Sequence, residues 1–308
     1  MVEERYLSQV KLSQPRQTAQ VWLADGRVYE APVGTPLEAF IRVAEPNPPA
    51  PIVAAIVDGQ LRELTYRVEC DVEVTPLSTA TSDGMRIYRR SLSFLLVVAA
   101  HELFPEAKVV VDHSLPFGGY FCRLEGRPPL SPEELSQLEA RMREIVAEDA
   151  PICKERVPLR EALALFRQRG DDDKIRLLSY RHKGYLTLYK LRGLRDCFHG
   201  YMVPSTGYLR WFALRDYPPG FILQYPRQYE PLRLQPFIEY PKLGAVFREY
   251  GEWTRVIGVP DVGALNQTIE EGRIGEVILV AEALHCLLYT SDAADEGLGV
   301  DLGGRRII

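Results

Sequence analysis

The sequence comes nearest to a metal-binding motif at Cys197 and His199, which are separated by one residue. A thiolate and an imidazole at this spacing could contact one metal ion from a strand or a turn. Structural zinc sites need four donors and catalytic zinc sites need three, and the sequence offers no obvious partner donors. None of the five histidines lies three or four residues from another, as a helical zinc site requires. We therefore favour a buried thiol beside an exposed imidazole over a metal site.

Signatures of a nucleotide-binding loop or an activated serine are missing from the sequence. It contains no Gly-x-x-x-x-Gly-Lys-Ser/Thr segment, no Gly-x-Gly-x-x-Gly segment and no Gly-x-Ser-x-Gly elbow. Three aspartates at positions 171–173 could hold magnesium, but such a run after a glycine is more typical of a solvated loop. We therefore expect no catalytic residue and no cofactor in this chain.

A basic run with interleaved tyrosines is the most prominent charge feature. Seven basic residues and no acid occur in it: Lys174, Arg176, Arg181, Lys183, Lys190, Arg192 and Arg195. Basic and aromatic side chains on a sheet suit the phosphates and bases of RNA. The alternative is that strand alternation places half of them on each face, so that they form no single patch. RNA contact and a divided surface both remain open.

Length and composition restrict the class of protein. The 308 residues suggest about two domains. The 37 basic and 42 acidic residues give a net charge of −5, which excludes a protein held to nucleic acid by bulk charge. No apolar run approaches the roughly 20 residues that span a bilayer, and no secretory signal begins the sequence. We expect a cytoplasmic location, reduced cysteines that lie in the core, and neither membrane nor DNA as a partner.

The pattern of apolar residues and turns predicts an α+β protein. Two hairpins with Asp-Gly turns flank a short helix that Thr35 and Pro36 should open, which is a β-grasp arrangement. The following region mixes longer helices with paired strands. The helices are expected at 88–104, 131–148 and 159–169, and the strands at 109–111, 117–124, 185–191, 209–214 and 221–225.

Three segments of the first region, and a fourth at its exit, resemble a TGS domain, the ubiquitin-like module of threonyl-tRNA synthetases and some GTPases. They are WLADGR at 22–27, GTPL at 34–37, VDGQL at 57–61 and DGMRIYRRS at 83–91. The resemblance implies a TGS β-grasp module at 18–80, after a disordered stretch at 1–17.

The next region, 85–285, resembles the editing-type second additional domain of threonyl- and alanyl-tRNA synthetases. Those enzymes carry two histidines on a helix where this sequence has Arg90 and Phe94. They carry a cysteine and a histidine where it has Phe198 and Met202, with Cys197 and His199 one residue out of register. Since a guanidinium and a phenyl ring cannot coordinate a cation, no metal is expected.

A degenerate editing cleft could instead hold a small molecule. Its expected lining comprises Arg90, Phe94, His199, Tyr201 and Ser205. Arg90 could pair with a phosphate or a carboxylate, or it could be a solvated surface arginine.

Five further segments resemble the front half of bacterial uridine kinase-like nucleoside kinases. They are SLSFLL at 91–96, ELFP at 102–105, HSL at 113–115, PSTG at 204–207 and LNQTI at 265–269. The resemblance implies a non-catalytic binding or regulatory region whose partner in cis is a missing P-loop kinase domain, which would use ATP and magnesium. The alternative is a tRNA-binding or editing-type module related to threonyl-tRNA synthetase, without an intact metal site.

The last 23 residues differ from the rest. The helical pattern that precedes Cys286 is expected to end there, and the segment CLLYTSDAADE at 286–296 resembles a translated sequencing adapter. We therefore expect residues 286–308 to be a non-native, poorly packed tail.

Overall fold

The computed structural model describes residues 14–115, 118–239 and 241–298, with side chains at 241, 243, 248 and 287–298 left undescribed. The disorder predicted for 1–17 and the loose tail predicted for 286–308 lie partly outside this description, at 1–13 and 299–308. Within the described part of the first stretch, Arg16 pairs with Asp71 at 2.6 Å and the Gln17 carbonyl accepts from the Val33 amide at 2.9 Å. The fold is α+β, which confirms the sequence prediction. None of the described helices combines the length and hydropathy needed to span a bilayer.

Fourteen strands and eight helices make up the described chain. The strands are β1 Thr18–Leu23, β2 Val28–Pro32, β3 Thr35–Pro36, β4 Ile52–Val57, β5 Gln60–Glu63, β6 Arg67–Val68, β7 Val72–Ser78, β8 Lys108–Leu115, β9 Gly119–Glu125, β10 Ile152–Pro158, β11 Tyr185–Leu191, β12 Leu194–Asp196, β13 Ala213–Tyr217 and β14 Gly220–Gln224. The helices are α1 Leu37–Ala44, α2 Ser82–Leu103, α3 Pro132–Ala147, α4 Leu159–Arg169, α5 Asp172–Ser179, α6 Pro241–Val256, α7 Val262–Glu270 and α8 Ile274–Leu298.

The first seven strands and α1 form the β-grasp module. Five strands make one sheet in the order β2-β1-β7-β4-β5, in which β1 and β7 run parallel. Asp58 and Gly59 link β4 to β5 with φ of 47° and 75°, the left-handed pair that a tight hairpin turn requires. Leu37, Phe40 and Ile41 of α1 are buried in the core of this sheet. The Asp-Gly turns thus predicted the hairpins correctly.

Helix α1 begins one residue later than predicted, with Pro36 rather than Thr35 at its N-cap. Thr35 and Pro36 pair with β6 instead, and the Thr35 hydroxyl donates to the Pro32 carbonyl at 2.7 Å. That hydroxyl is therefore not used to cap the helix.

Helix α2 is longer than the apolar spacing predicts. It begins at Ser82 instead of residue 88, because the Thr81 side chain caps it by accepting from the Gly84 amide at 3.1 Å. Its buried face, which includes Tyr88, Leu92 and Phe94, shares one hydrophobic cluster with Val53 and Ala54 of β4. Strand β4 therefore contributes to two cores, since its Ala55 and Val57 belong to the β-grasp core.

A four-stranded sheet, in which all neighbouring strands are antiparallel, has the order β13-β14-β9-β8. Strand β8 extends further than the predicted 109–111, with a register shift between Val111 and Ser114. The predicted strand at 209–214 is wrong over its first half. A 3₁₀ turn at Thr206–Tyr208 occupies the region before β13, and the buried Thr206 hydroxyl holds that turn by donating to the Ile145 carbonyl at 2.6 Å.

Helix α3 carries the predicted capping box. The Ser131 hydroxyl accepts from the Glu134 amide at 3.2 Å, and the Glu134 carboxylate accepts from the Ser131 amide at 2.9 Å. We expect Ser131→Ala to lower the free energy of unfolding by about 1 kcal/mol. Urea unfolding at pH 7 measures this, with the exposed Ser136→Ala of the same helix as the control. A matching loss in both variants would contradict the cap's role.

Residue contacts group the chain into two compact units. Unit 1 comprises the described residues up to 155 together with 187–238, and unit 2 comprises 156–186 together with those from 239 onward. The chain passes between them within β10 and β11. This grouping places the β-grasp module and α2 in one unit, because they share the core around β4. The boundaries 18–80 and 85–285 therefore stay predictions about sequence modules.

Unit 2 is largely helical. Helix α4 ends at Gly170, whose φ of 71° suits a left-handed C-cap. The predicted solvated loop at 171–173 is wrong, since α5 begins at Asp172 and Asp171 is buried between Arg169 and Lys174. The helix expected to end at Cys286 continues to Leu298, and 287–296 contain neither a glycine nor a proline that would interrupt it. The foreign origin of 286–308 stays a prediction.

Candidate functional site

The four positions expected from the editing-domain pattern meet in unit 1. Arg90 and Phe94 lie one turn apart on α2, and Phe198 and Met202 follow β12. The rings of Phe94 and Phe198 lie 5.1 Å apart between centroids at an angle of 54°. Phe94 and Met202 are buried in the same cluster, with Phe198 packed against it. Apolar packing occupies the place where metal donors would converge.

Arg90 makes a specific contact with the backbone opposite α2. Its Nη1 donates to the Tyr201 carbonyl at 2.6 Å. Its guanidinium covers Gly200, where a Cβ would come within 2.7 Å of Cζ, and Gly200 has φ of +106°. Burial lowers the pKa of Arg90, although the side chain remains fully cationic at neutral pH. Arg90 is therefore a half-buried packing residue instead of a solvated surface arginine.

The other residues expected to line the ligand cleft differ in whether they are buried, hydrogen-bonded or exposed. The Ser205 hydroxyl donates to Asp149 Oδ1 at 2.5 Å, and His199 is exposed. Phe94 is fully buried. Three of the five expected lining residues, Arg90, Phe94 and Ser205, are thus engaged in contacts within the protein. The small-molecule cleft stays a prediction, and this geometry does not favour it.

A buried charged cluster lies beside Arg90. Glu63 of β5 is only 6% exposed and accepts from the Tyr189 hydroxyl and, at 3.2 Å, from Lys154 Nζ. The Lys154 ammonium lies 4.8 Å from the centre of the Tyr201 ring. Burial, together with the nearby Glu63 carboxylate, raises the pKa of Tyr189. This cluster has no sequence signature, because Lys154 and Tyr189 lie 91 and 126 positions from Glu63 along the chain.

The donor set does not fit the metal centre that the editing-domain pattern implies. Arginine and phenylalanine have no lone pair for a cation, and Met202 provides only a soft thioether. His199 is exposed as predicted, whereas the prediction of a buried Cys197 thiol is wrong, because Cys197 is only partly buried. Among the residues that the structure describes, no three His, Cys, Asp or Glu side chains form a metal-binding group.

The predicted basic run is divided between the two units, and most of its charges form ion pairs with acids from outside the run. Lys174, Arg176, Arg181 and Lys183 belong to unit 2, whereas Lys190, Arg192 and Arg195 belong to unit 1. Four of the seven form ion pairs: Lys174 with Asp171, Arg176 with Asp261, Arg192 with Glu102 and Glu148, and Arg195 with Glu155. Lys183 and Lys190 are exposed and have no ion pair within the described ranges. RNA contact through this run stays a prediction that these two lysines support best.

Comparison with known proteins gives one consistent result. The chain is 34% identical over 200 residues to a threonine–tRNA ligase of Methylococcus capsulatus, covering 63% of this chain and 30% of that protein. It is 32% identical over 195 residues to the enzyme of Symbiobacterium thermophilum, with the same coverage, and 35% identical over 164 residues to that of Acidithiobacillus ferrooxidans. No family model matches the chain. The chain thus spans less than a third of the length of these relatives, and its homologues are threonine–tRNA ligases.

Proposed function

We propose that this chain is a tRNA-binding module related to the editing region of threonyl-tRNA synthetases, which does not hydrolyse aminoacyl-tRNA by a metal-dependent route. Similarity to threonine–tRNA ligases over 200 residues supports the synthetase relationship. The absence of metal-dependent hydrolysis is argued from the packing of Phe94 against Phe198, at positions where metal donors would be needed. The chain would therefore bind tRNA without hydrolysing it through a metal ion, since contact with RNA phosphates needs no metal ligand.

Two assays on the full chain test the two halves. Fluorescence anisotropy with bacterial tRNA at 50 and 200 mM salt should show binding that weakens as salt rises. Binding releases counterions from the tRNA phosphates, and this release is less favourable at higher salt. The chain should not accelerate the deacylation of aminoacyl-tRNA more with added Zn²⁺ than with EDTA, each rate being compared with the same buffer without the chain. Absence of tRNA binding even at 50 mM salt would overturn the binding half of the proposal, and deacylation that the chain accelerates with Zn²⁺ but not with EDTA would overturn the other half.

The two lysines without ion pairs offer a sharper prediction. We expect the double variant Lys183→Gln/Lys190→Gln to weaken tRNA binding several-fold and to lower the slope of log Kd against log salt by about 2, about 1 for each lost phosphate contact. Lys242→Gln, which changes an exposed lysine outside the run, should leave both unchanged. An equal effect of both variants would show that the run provides no specific RNA contact.

The nucleoside kinase interpretation stays a separate prediction. It rests on the segments named in the sequence analysis, whereas the similar proteins found are threonine–tRNA ligases. Sequencing the gene beyond codon 285 tests it. An open frame that reaches a Gly-x-x-x-x-Gly-Lys-Ser/Thr motif would support a kinase parent, and a frame without one would contradict it.

A further inference from the structure

A cavity of about 320 Å³ lies in unit 1, between the start of α2 and the segment that follows β14. Its lining includes Ser82 and Arg89 from α2, and Tyr225, Arg227 and Tyr229 from the segment after β14. It is separate from the packed Phe94–Phe198 region, because neither ring contributes to its wall. The volume is at the lower end of the range for small-molecule sites, which suits one phosphate and one further ring.

The cavity wall is cationic. Two arginines and no acid occur among its lining residues. The start of α2 adds the positive end of a 22-residue helix, with Ser82 as its first residue. A wall of this composition favours an anion, and two guanidiniums match the oxygens of a phosphate.

Arg89 has spare hydrogen-bonding capacity at this wall. Its Nη1 donates to the Tyr225 hydroxyl at 3.4 Å, and its Cζ lies 5.4 Å from the centre of that ring. Its Nε is buried and has no hydrogen-bond partner among the described residues. Because Nε is inaccessible to solvent, an anion in the cavity would instead bind the terminal nitrogens of this guanidinium, of which Nη1 alone has a hydrogen-bond partner among the described residues.

Aromatic side chains complete the wall. Burial raises the pKa of Tyr225, although both arginine charges favour its ionised form, so the hydroxyl stays protonated at neutral pH. It then donates to the Gly119 carbonyl at 3.4 Å while accepting from Arg89. Tyr229 is 70% exposed, so its ring is accessible to a planar group at the mouth of the cavity.

We propose that this cavity binds a nucleoside monophosphate group, whose phosphate contacts Arg89 and Arg227 while its base stacks on Tyr229. The group is either a free mononucleotide or the phosphorylated end of an RNA strand, since both present the same chemistry. This site does not depend on the proposed tRNA-binding function.

Isothermal titration of the full chain tests the proposal with uridine 5′-monophosphate, adenosine 5′-monophosphate, uridine and inorganic phosphate. We expect both monophosphates to bind with one site per chain, phosphate to compete with them, and uridine not to bind. A short RNA with a 5′-phosphate, compared with the same RNA carrying a 5′-hydroxyl, distinguishes the two sources. Tight binding of only the phosphorylated RNA would assign the site to an RNA end.

Variants locate the binding. Arg89→Gln and Arg227→Gln should each weaken monophosphate binding at least tenfold, and Tyr229→Ala should weaken the monophosphates but not phosphate. The control is Arg86→Gln, which changes an exposed arginine of the same helix that pairs with Asp83 and does not line the cavity. Because Arg227 lies outside the helices and strands, its variant remains informative if Arg89→Gln fails to fold. Absence of binding by every phosphate probe, or unchanged affinity in both arginine variants, would overturn the proposal.

Discussion

Replacing Phe94 with alanine should lower the free energy of unfolding by about 3–5 kcal/mol, the usual loss when a buried phenylalanine is truncated. The side chain is fully buried and its ring packs 5.1 Å from that of Phe198. The loss combines the removed apolar surface with the cavity left behind. Urea unfolding at pH 7, followed by tyrosine and tryptophan fluorescence, measures the change.

Val43→Ala provides the control, because this apolar side chain is 68% exposed on α1. It should change stability by no more than about 0.5 kcal/mol. A loss below 1 kcal/mol for Phe94→Ala would show that the ring does not fill the core, and the cleft hypothesis would regain support. The expected result would instead show that the side chain at a position predicted from the editing-domain pattern to be a donor stabilises the fold.

Raising the pH from 9 to 10.5 should remove about 2 kcal/mol of stability through Cys122 alone. Burial raises the pKa of the Cys122 thiol from 9.0 to about 12. The unfolded chain therefore loses this proton before the folded chain does, so the contribution of Cys122 is complete below pH 9 and declines as pH rises towards 12. Over that whole interval the loss approaches about 4 kcal/mol.

Buried tyrosines should add to this loss of stability above pH 10. Burial raises the pKa of Tyr208 to about 12, and it also raises those of Tyr88 and Tyr225. Urea unfolding at pH 8, 9 and 10.5 under reducing conditions checks the effect. Cys122→Ala should lose less stability between pH 9 and 10.5 than the wild type, whatever its stability at pH 8. Identical declines would show that the thiol is accessible to water in the folded chain.

The sequence predicted those features of the fold that depend on neighbours along the chain. The Asp58-Gly59 turn and the Ser131 capping box require only a few adjacent residues, and both were correct. The start of α2 was predicted six residues late, because the apolar spacing begins after the polar first turn while Thr81 sets the true start. Apolar periodicity indicates which face of a helix is buried, whereas a capping residue indicates where the helix begins.

The candidate site was predictable only in part. The residue types at positions 90, 94, 198 and 202 indicate that metal donors are missing there, and this inference needs only the chemistry of the side chains, which the sequence provides. What fills the space depends on contacts between distant residues, such as Arg90 with the Tyr201 carbonyl and Tyr189 with Glu63. The cavity beside Arg89 was missed for the same reason, since Tyr225 and Arg227 are more than 130 positions away along the chain.

Strand β4 faces two cores, and this limits how the protein can be divided by recombination. Val53 and Ala54 pack with α2, while Ala55 and Val57 pack with α1. A gene fusion that joins the first 80 residues to an unrelated partner would leave Val53 and Ala54 without their apolar neighbours. Shuffling this segment between proteins therefore succeeds only if α2 is inherited with it, or if the new host supplies an equivalent helix.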